Sequence, residues 1–253
     1  MNRRLLYGAF GLAALLLMSG CLGIGTGLVP AEELDSAPDR SYAWNSTHDV
    51  DITVQENTQF RMVINATDTE LRLFRRSIGG TNPLSVSAVR YQYPNGTIIN
   101  GSTFQSRGGE VRQTREETVI TFPDSDSQPP GKIAFTSSGN RKRFSLPTYV
   151  DGSYQLTLPP NRRVEFPIFG SVSPGGSQKR IDEQNRLEIT WESMDAETAS
   201  ARFYLQRDLY IFGGVLGGII LVGLGGLYRY RQRIHRLRKE RQEMGLDIEA
   251  DDE

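Results

Sequence analysis

The sequence is short of the side chains on which most protein chemistry relies. It holds 1 Cys and 2 His in 253 residues. A lone cysteine closes no disulfide within the chain, and this inventory leaves no Cys-rich zinc site and no Cys–His catalytic pair. An excess of either charge is also missing, with 29 basic and 30 acidic residues giving a net charge of −1. That balance argues against a nucleic-acid partner, which calls for a basic surplus. Between residues 45 and 205 no stretch carries a convincing 3.6-residue apolar period, so no helical domain is expected there. Internal repeats are absent as well. With 38% hydrophobic and 23% charged residues the chain still reads as folded.

The charge that is present is ordered along the chain. Arg3 and Arg4 precede an uncharged apolar run, Leu5 to Met18, followed by Ser19, Gly20 and Cys21. This is the three-part layout of a secretory signal. Small residues before a cysteine resemble a lipobox, which makes Cys21 the candidate lipidation site. A second reading stays open: Leu5 to Val29 is 25 residues without a charge, long enough for an uncleaved anchor. The Arg3-Arg4 pair does not separate Sec export from twin-arginine export.

A second apolar run, Leu209 to Tyr228, is 20 residues long and uncharged. At about 1.5 Å per residue a helix of that length spans about 30 Å, the thickness of the hydrocarbon layer. Tyr210 and Tyr228 lie near its ends, at headgroup level. Seven basic residues follow within 13 positions, from Arg229 to Arg241. The positive-inside bias then puts the C-terminus in the cytoplasm and the preceding residues outside, as the signal does independently. The expected organisation is a signal peptide over 1–21, a tether over 22–44 and an extracytoplasmic domain over 45–208. A transmembrane helix over 209–228 and a basic stem with an acidic tail over 229–253 complete it.

The exported region alternates with period two. Val50, Ile52 and Val54 alternate with polar residues, as do Phe60, Met62 and Ile64, then Tyr154, Leu156 and Leu158, and Leu187, Ile189 and Trp191. Such alternation buries one face of a strand. Less regular strands are expected over 84–93, 97–100, 117–122, 132–136, 143–147, 164–168 and 201–205. Turn chemistry at Gly79-Gly80, Pro94-Asn95-Gly96, Asp151-Gly152 and Pro159-Pro160-Asn161 punctuates them. The expected fold class is mainly β: an antiparallel, sandwich-like extracytoplasmic domain plus one C-terminal transmembrane helix.

Candidate sites are few. Asn45, Asn65, Asn95 and Asn100 each open an N-glycosylation sequon, although Asn-Gly pairs also serve as turn residues. Gly213 with Gly217, and Gly214 with Gly218, have the GxxxG spacing that lets membrane helices approach closely. His48 and His235 fall on opposite sides of the membrane run, and no nucleophile elbow accompanies either. Asp124-Ser125-Asp126 starts like a calcium loop, but Gln128 and Pro129 break the pattern. The pairs Asp49/Asp51 and Glu116/Glu117 fit solvated strand faces better than a glycosidase. Arg141-Lys142-Arg143 and Arg162-Arg163 are small basic clusters, ordinary surface when taken singly. No cofactor and no metal site is expected.

The lipobox-like start, the stretch LEITWE followed by ARFYLQRDLYIFGG, and a basic stem ending in MGLDIE resemble an uncharacterised family of haloarchaeal membrane proteins, a domain of unknown function. The specific part of the likeness runs from Leu187 to Leu246. It implies a cell-surface lipoprotein with a C-terminal membrane helix, and it brings no activity and no catalytic residues. The count of 25 Arg against 4 Lys fits that source. The expected role is a membrane-anchored binding or scaffolding module and not an enzyme, with membrane lipids as partners. The alternatives are an accessory subunit associating with itself or another membrane protein through the glycine-rich helix, and a carboxylate-based envelope enzyme.

Overall fold

The computed structural model describes residues 26–123 and 131–243. They divide into two units, one ending at Phe203 and one beginning at Tyr204. In chain order the first unit holds β1 (Gly27–Leu28), α1 (Ala31–Asp35), β2 (Val50–Val54), β3 (Gln59–Asn65), β4 (Glu70–Ser77) and β5 (Gly80–Pro83). There follow β6 (Ser87–Gln92), β7 (Ile98–Asn100), α2 (Gly101–Ser106), β8 (Glu110–Gln113), β9 (Thr118–Thr121) and β10 (Lys132–Ser138). The unit closes with β11 (Arg143–Pro147), β12 (Tyr154–Thr157), β13 (Arg162–Arg163), β14 (Ser171–Ser173), β15 (Gln178–Ile181), β16 (Leu187–Trp191) and β17 (Thr198–Arg202). The second unit holds β18 (Tyr204–Leu205) and α3 (Gln206–Glu243).

The domain is mainly β. Its largest sheet has eight strands in the order β15-β16-β12-β2-β3-β10-β6-β7. Neighbours in it run antiparallel except β12 and β2, which are parallel, with Tyr154 opposite Val50. A five-stranded sheet, β1-β8-β9-β4-β5, and a three-stranded sheet, β11-β17-β14, are antiparallel. The period-two residues do what their spacing dictates. Val50, Ile52, Phe60, Ile64, Leu187 and Ile189 point into one core and are buried. Val111 and Ile120 of the five-stranded sheet and Phe144 and Leu146 of the three-stranded sheet join the same core. Sheets facing each other across a shared apolar layer make the arrangement sandwich-like.

Two expectations need correction. Residues 164–168 are not a strand. Val164 is buried, and the chain then turns, with the Gly170 N–H donating to the Phe166 carbonyl at 2.7 Å. The segment read as a tether is not free of the domain over its described part, residues 26–44. It straps the outer surface instead. Gly27 and Leu28 pair with Gln113 and Arg112 of β8, and the Val29 N–H donates to the Val111 carbonyl at 2.9 Å. Leu34 on α1 is 0% exposed and lies against Gly101, where any added Cβ would meet the Leu34 backbone carbon at 2.9 Å. Arg90 donates to the carbonyls of Leu34, Asp35 and Ser36. Tyr42 crosses the outer face of the eight-stranded sheet, packing with Val63, Ala134 and Trp44. Its hydroxyl donates to the Ala88 carbonyl at 2.6 Å. A five-residue helix flanked by Pro30 and Pro38 is too short to show a helical period, which is why the segment reads as loose.

The second unit is dominated by α3, 38 residues long. One span within it, Gln206–Arg241, is long and apolar enough to cross a membrane, with a mean hydropathy of 2.0 over its most apolar window. Exposed Ile211, Ile219, Ile220 and Leu221 stand all round it, so the helix is apolar on every face. The helix runs on past Tyr228 through the basic stem.

Candidate functional site

Among the described residues, a cleft of about 290 Å³ opens beside the β2–β3 turn. Four separate segments build it. The turn between β2 and β3 is closed by the Gln55 N–H, which donates to the Gln59 carbonyl at 2.8 Å. Asn57 there donates through Nδ2 to Asp39 Oδ2 at 2.7 Å, which fixes the strap over the turn. The far wall is the Pro159-Pro160 turn after β12 and the turn between β15 and β16. Asp182 organises the latter: its Oδ1 accepts from the N–H groups of Gln184 and Arg186 at 2.9 and 2.8 Å, and its Oδ2 holds Arg186 Nε at 2.7 Å.

Three guanidinium groups line the cleft, those of Arg40, Arg61 and Arg186, with Asp39 and Glu56 exposed at its rim. Arg61 sits on β3 opposite Thr53 and donates to the Ser41 carbonyl. Its Nε is buried and has no hydrogen-bond partner among the described residues, and the same holds for Gln55 Oε1. Buried polar atoms left this way are uncommon and costly, about 1–3 kcal/mol each. Burial pulls the Arg61 guanidinium below its usual value, and the like charges of Arg40 and Arg186 act in the same direction. Arginine nevertheless stays protonated. Burial pushes the Asp182 carboxyl up, but the Arg186 hydrogen bonds and charge outweigh it and the net shift is down. The cleft therefore lines three guanidinium groups against two rim carboxylates, with Arg186 already paired to Asp182, and two of its lining residues keep a buried polar atom without a partner.

The structure sorts the sequons into two pairs. Asn45 and Asn95 are exposed. Asn95 Oδ1 accepts from the Thr97 N–H at 2.9 Å, an Asx turn that leaves the amide nitrogen outward. Asn65 and Asn100 are half-buried and their amides are committed. Asn65 Nδ2 donates to Asp49 Oδ1 at 3.4 Å. Asn100 caps α2 through Oδ1, accepting from the Thr103 N–H at 3.1 Å, and its Nδ2 donates to Asp35 Oδ2 at 3.3 Å.

Ser46, His48 and Asp51 come together near the end of the strap. Asp51 is buried, and burial pushes its carboxyl up against the opposing hydrogen bond of Ser46 and the charge of His48. A hydrolase relay needs the imidazole between hydroxyl and carboxylate. Here Ser46 meets Asp51 directly, so these three residues do not form that order. Gly213, Gly214, Gly217 and Gly218 lie on α3 with open space where a Cβ would stand. Among the described residues no group of three or more His, Cys, Asp or Glu is placed to hold a metal ion. Cys21, the Asp124–Asp126 stretch and the acidic tail lie outside the described residues.

Residues 46–249 match a family described as a family of unknown function, DUF5803. The chain belongs to that family. No curated protein matches it. The DUF5803 match runs from the start of the β-domain through the apolar helix into the basic stem, so domain and helix form one inherited arrangement. The strap up to Asn45 precedes the match, although Leu34 and Tyr42 complete the fold. The Arg61 cleft had no signature in the sequence. Arg61 reads there only as the polar partner in the alternation of β3.

Proposed function

We propose that this DUF5803 protein is a binding module of the cell membrane, with its β-domain outside, and that the Arg61 cleft takes its ligand. The ligand carries a carboxylate or sulfate beside a hydroxyl, as acidic sugars do. The buried, unpartnered atoms Arg61 Nε and Gln55 Oε1, each on a residue that lines the cleft, carry this reading. A guanidinium fork suits a planar or tetrahedral anion, and Gln55 Oε1 requires a donor. A cleft of about 290 Å³ suits a single small residue rather than a folded partner. In this reading the protein is not an enzyme.

The same proposal includes a lipidated Cys21, a haloarchaeal source and a cytoplasmic C-terminus. The lipobox-like start, the surplus of Arg over Lys and the seven basic residues after Tyr228 support these in turn. Titration of the detergent-solubilised full chain with glucuronate and with inorganic sulfate tests the ligand class. Saturable binding of either, weakened at least about ten-fold by Arg61→Gln, is expected. Two flat titrations sink the cleft reading.

A second reading has its own observation. The four glycines of the two GxxxG pairs are open along α3, where another membrane helix can approach. The protein would then be an accessory subunit recruited through that helix, and stable stoichiometric membrane partners on purification would favour it.

A further inference from the structure

The three-stranded sheet β11-β17-β14 gathers an unusual surface at one of its ends. In register, Arg143 of β11 and Ser171 of β14 both lie opposite Arg202, the last residue of β17. The residues just before β11 and just before β14 therefore meet at that end. Those before β11 are Arg141 and Lys142, exposed like Arg143. The backbone keeps them there, with the Phe203 N–H donating to the Lys142 carbonyl at 3.0 Å. Those before β14 are Phe166, Pro167, Ile168 and Phe169. Ile168 is 64% exposed at the tip, and the rings of Phe166 and Phe169 pack at a tilt of 36° with centroids 5.5 Å apart. Arg202 donates to the Ile168 carbonyl at 3.0 Å, which holds the apolar turn beside the basic residues.

An aromatic and aliphatic tip fixed next to three exposed cations suits the boundary of a bilayer, where apolar groups enter the headgroup layer and cations meet phosphates. Chain length points the same way. The apolar run begins at Leu209, seven residues after Arg202, a reach of at most about 25 Å. With α3 spanning the bilayer, that reach is short enough for this end of the sheet to meet the headgroups.

We propose that this end of the sheet is a lipid-facing surface. The Phe166–Phe169 turn enters the outer headgroup layer, and Arg141, Lys142 and Arg143 hold anionic headgroups beside it. The β-domain is then docked on the membrane rather than swinging from it. This rests on the reading that α3 spans the bilayer with the β-domain outside.

The test uses the full chain with Cys21→Ser and a polarity-sensitive dye on a single cysteine at Ile168→Cys. A second preparation carries the dye at Ile78→Cys. Ile78 is fully exposed, and Arg76 beside it pairs at 2.8 Å with Glu197, which adjoins the start of β17, the end away from Arg202. Both are reconstituted into phosphatidylcholine vesicles with and without phosphatidylglycerol. The expected result is a blue-shifted label at 168, quenched by nitroxide lipids and more deeply buried with phosphatidylglycerol, and a water-like label at 78. Replacing Arg141, Lys142 and Arg143 by Gln should cut the preference for phosphatidylglycerol about five-fold per residue. A water-like label at 168 in both membranes, in a chain that alkaline carbonate does not extract, overturns the docking surface alone. Extraction by carbonate overturns the spanning reading and this surface with it.

Discussion

Ser153 holds Asp49 through both of its own donors: its N–H and its hydroxyl each donate to Asp49 Oδ2 at 2.8 Å. The Asp49 N–H returns a bond to Ser153 Oγ at 3.1 Å. This exchange closes the entry to the parallel pair β2 and β12, where no hairpin can set the register. The Ser153 N–H lowers the Asp49 carboxyl most, partly offset by burial. Two residues on, burial raises Asp51. β2 and the residue just before it thus carry two carboxyl groups shifted in opposite directions.

The stability of the domain should consequently peak at mildly acidic pH. Asp49 is ionised more readily in the fold than in the unfolded chain, so its contribution is complete above the ordinary value of 3.8 and is lost as pH falls below it. Asp35 and Asp182, also lowered, add to that loss. Asp51 has the reverse sign: the fold keeps its proton to higher pH, so stability falls as pH rises from 3.8 through its raised value. Urea midpoints measured across pH should show both slopes. Asp51→Asn should flatten the neutral side and Asp49→Asn the acid side. A profile that only rises from acid to neutral pH contradicts the assignment of Asp51.

The β-character of the chain was legible because burial on one face forces a period of two. Val50, Ile52 and Val54 display it, and so do Leu187, Ile189 and Trp191. The strap was illegible for the opposite reason. Val29, Leu34 and Tyr42 are buried at spacings that follow the surface they cover, not the period of any element. The cleft was hidden because it joins Arg40, Arg61, Pro160 and Arg186, which are neighbours only after β15, β16, β12, β2 and β3 assemble. Arg141–Arg143 read as common surface until the register with Arg202 placed the Ile168 turn beside them.

The strap makes a stability prediction that a tether does not. Leu34→Ala removes a fully buried side chain and should cost about 2–5 kcal/mol. Gly101→Ala brings a methyl group against the Leu34 backbone and should also destabilise, because backbone cannot swing aside as a side chain can. Thermal or urea unfolding of the membrane-extracted protein measures both. Two wild-type curves would restore the reading of residues 26–44 as a tether.

The sequons should divide by accessibility. In a host that glycosylates exported proteins, Asn45→Gln and Asn95→Gln should each remove a glycan-dependent mass shift, and Asn65→Gln and Asn100→Gln should remove none. Asn100→Ala should instead cost about 0.5–2 kcal/mol, because it takes the cap from α2. Intact-mass measurement reads the first effect and urea unfolding the second. Glycan found on Asn100 of the folded protein contradicts the role of its amide in holding Asp35.

Membrane retention should depend on α3 far more than on Cys21. A single acyl chain binds a bilayer reversibly, whereas a 20-residue apolar helix is held by burial along its whole length. Cys21→Ser alone should therefore leave the protein in the carbonate-resistant membrane fraction. Leu216→Arg and Ile220→Arg, both at exposed positions on α3 near the middle of the apolar run, should cost about 2.5–3.5 kcal/mol per site. In that double variant retention falls to whatever lipid Cys21 carries, and it should become incomplete and detergent-sensitive. Adding Cys21→Ser to the double variant should release the protein to the soluble fraction. The order of the variants carries the argument, since lipid on Cys21 becomes visible only once the helix is weakened. Release of the Cys21→Ser protein with α3 intact would reverse the roles of the two anchors and remove the basis for placing residues 45–208 outside.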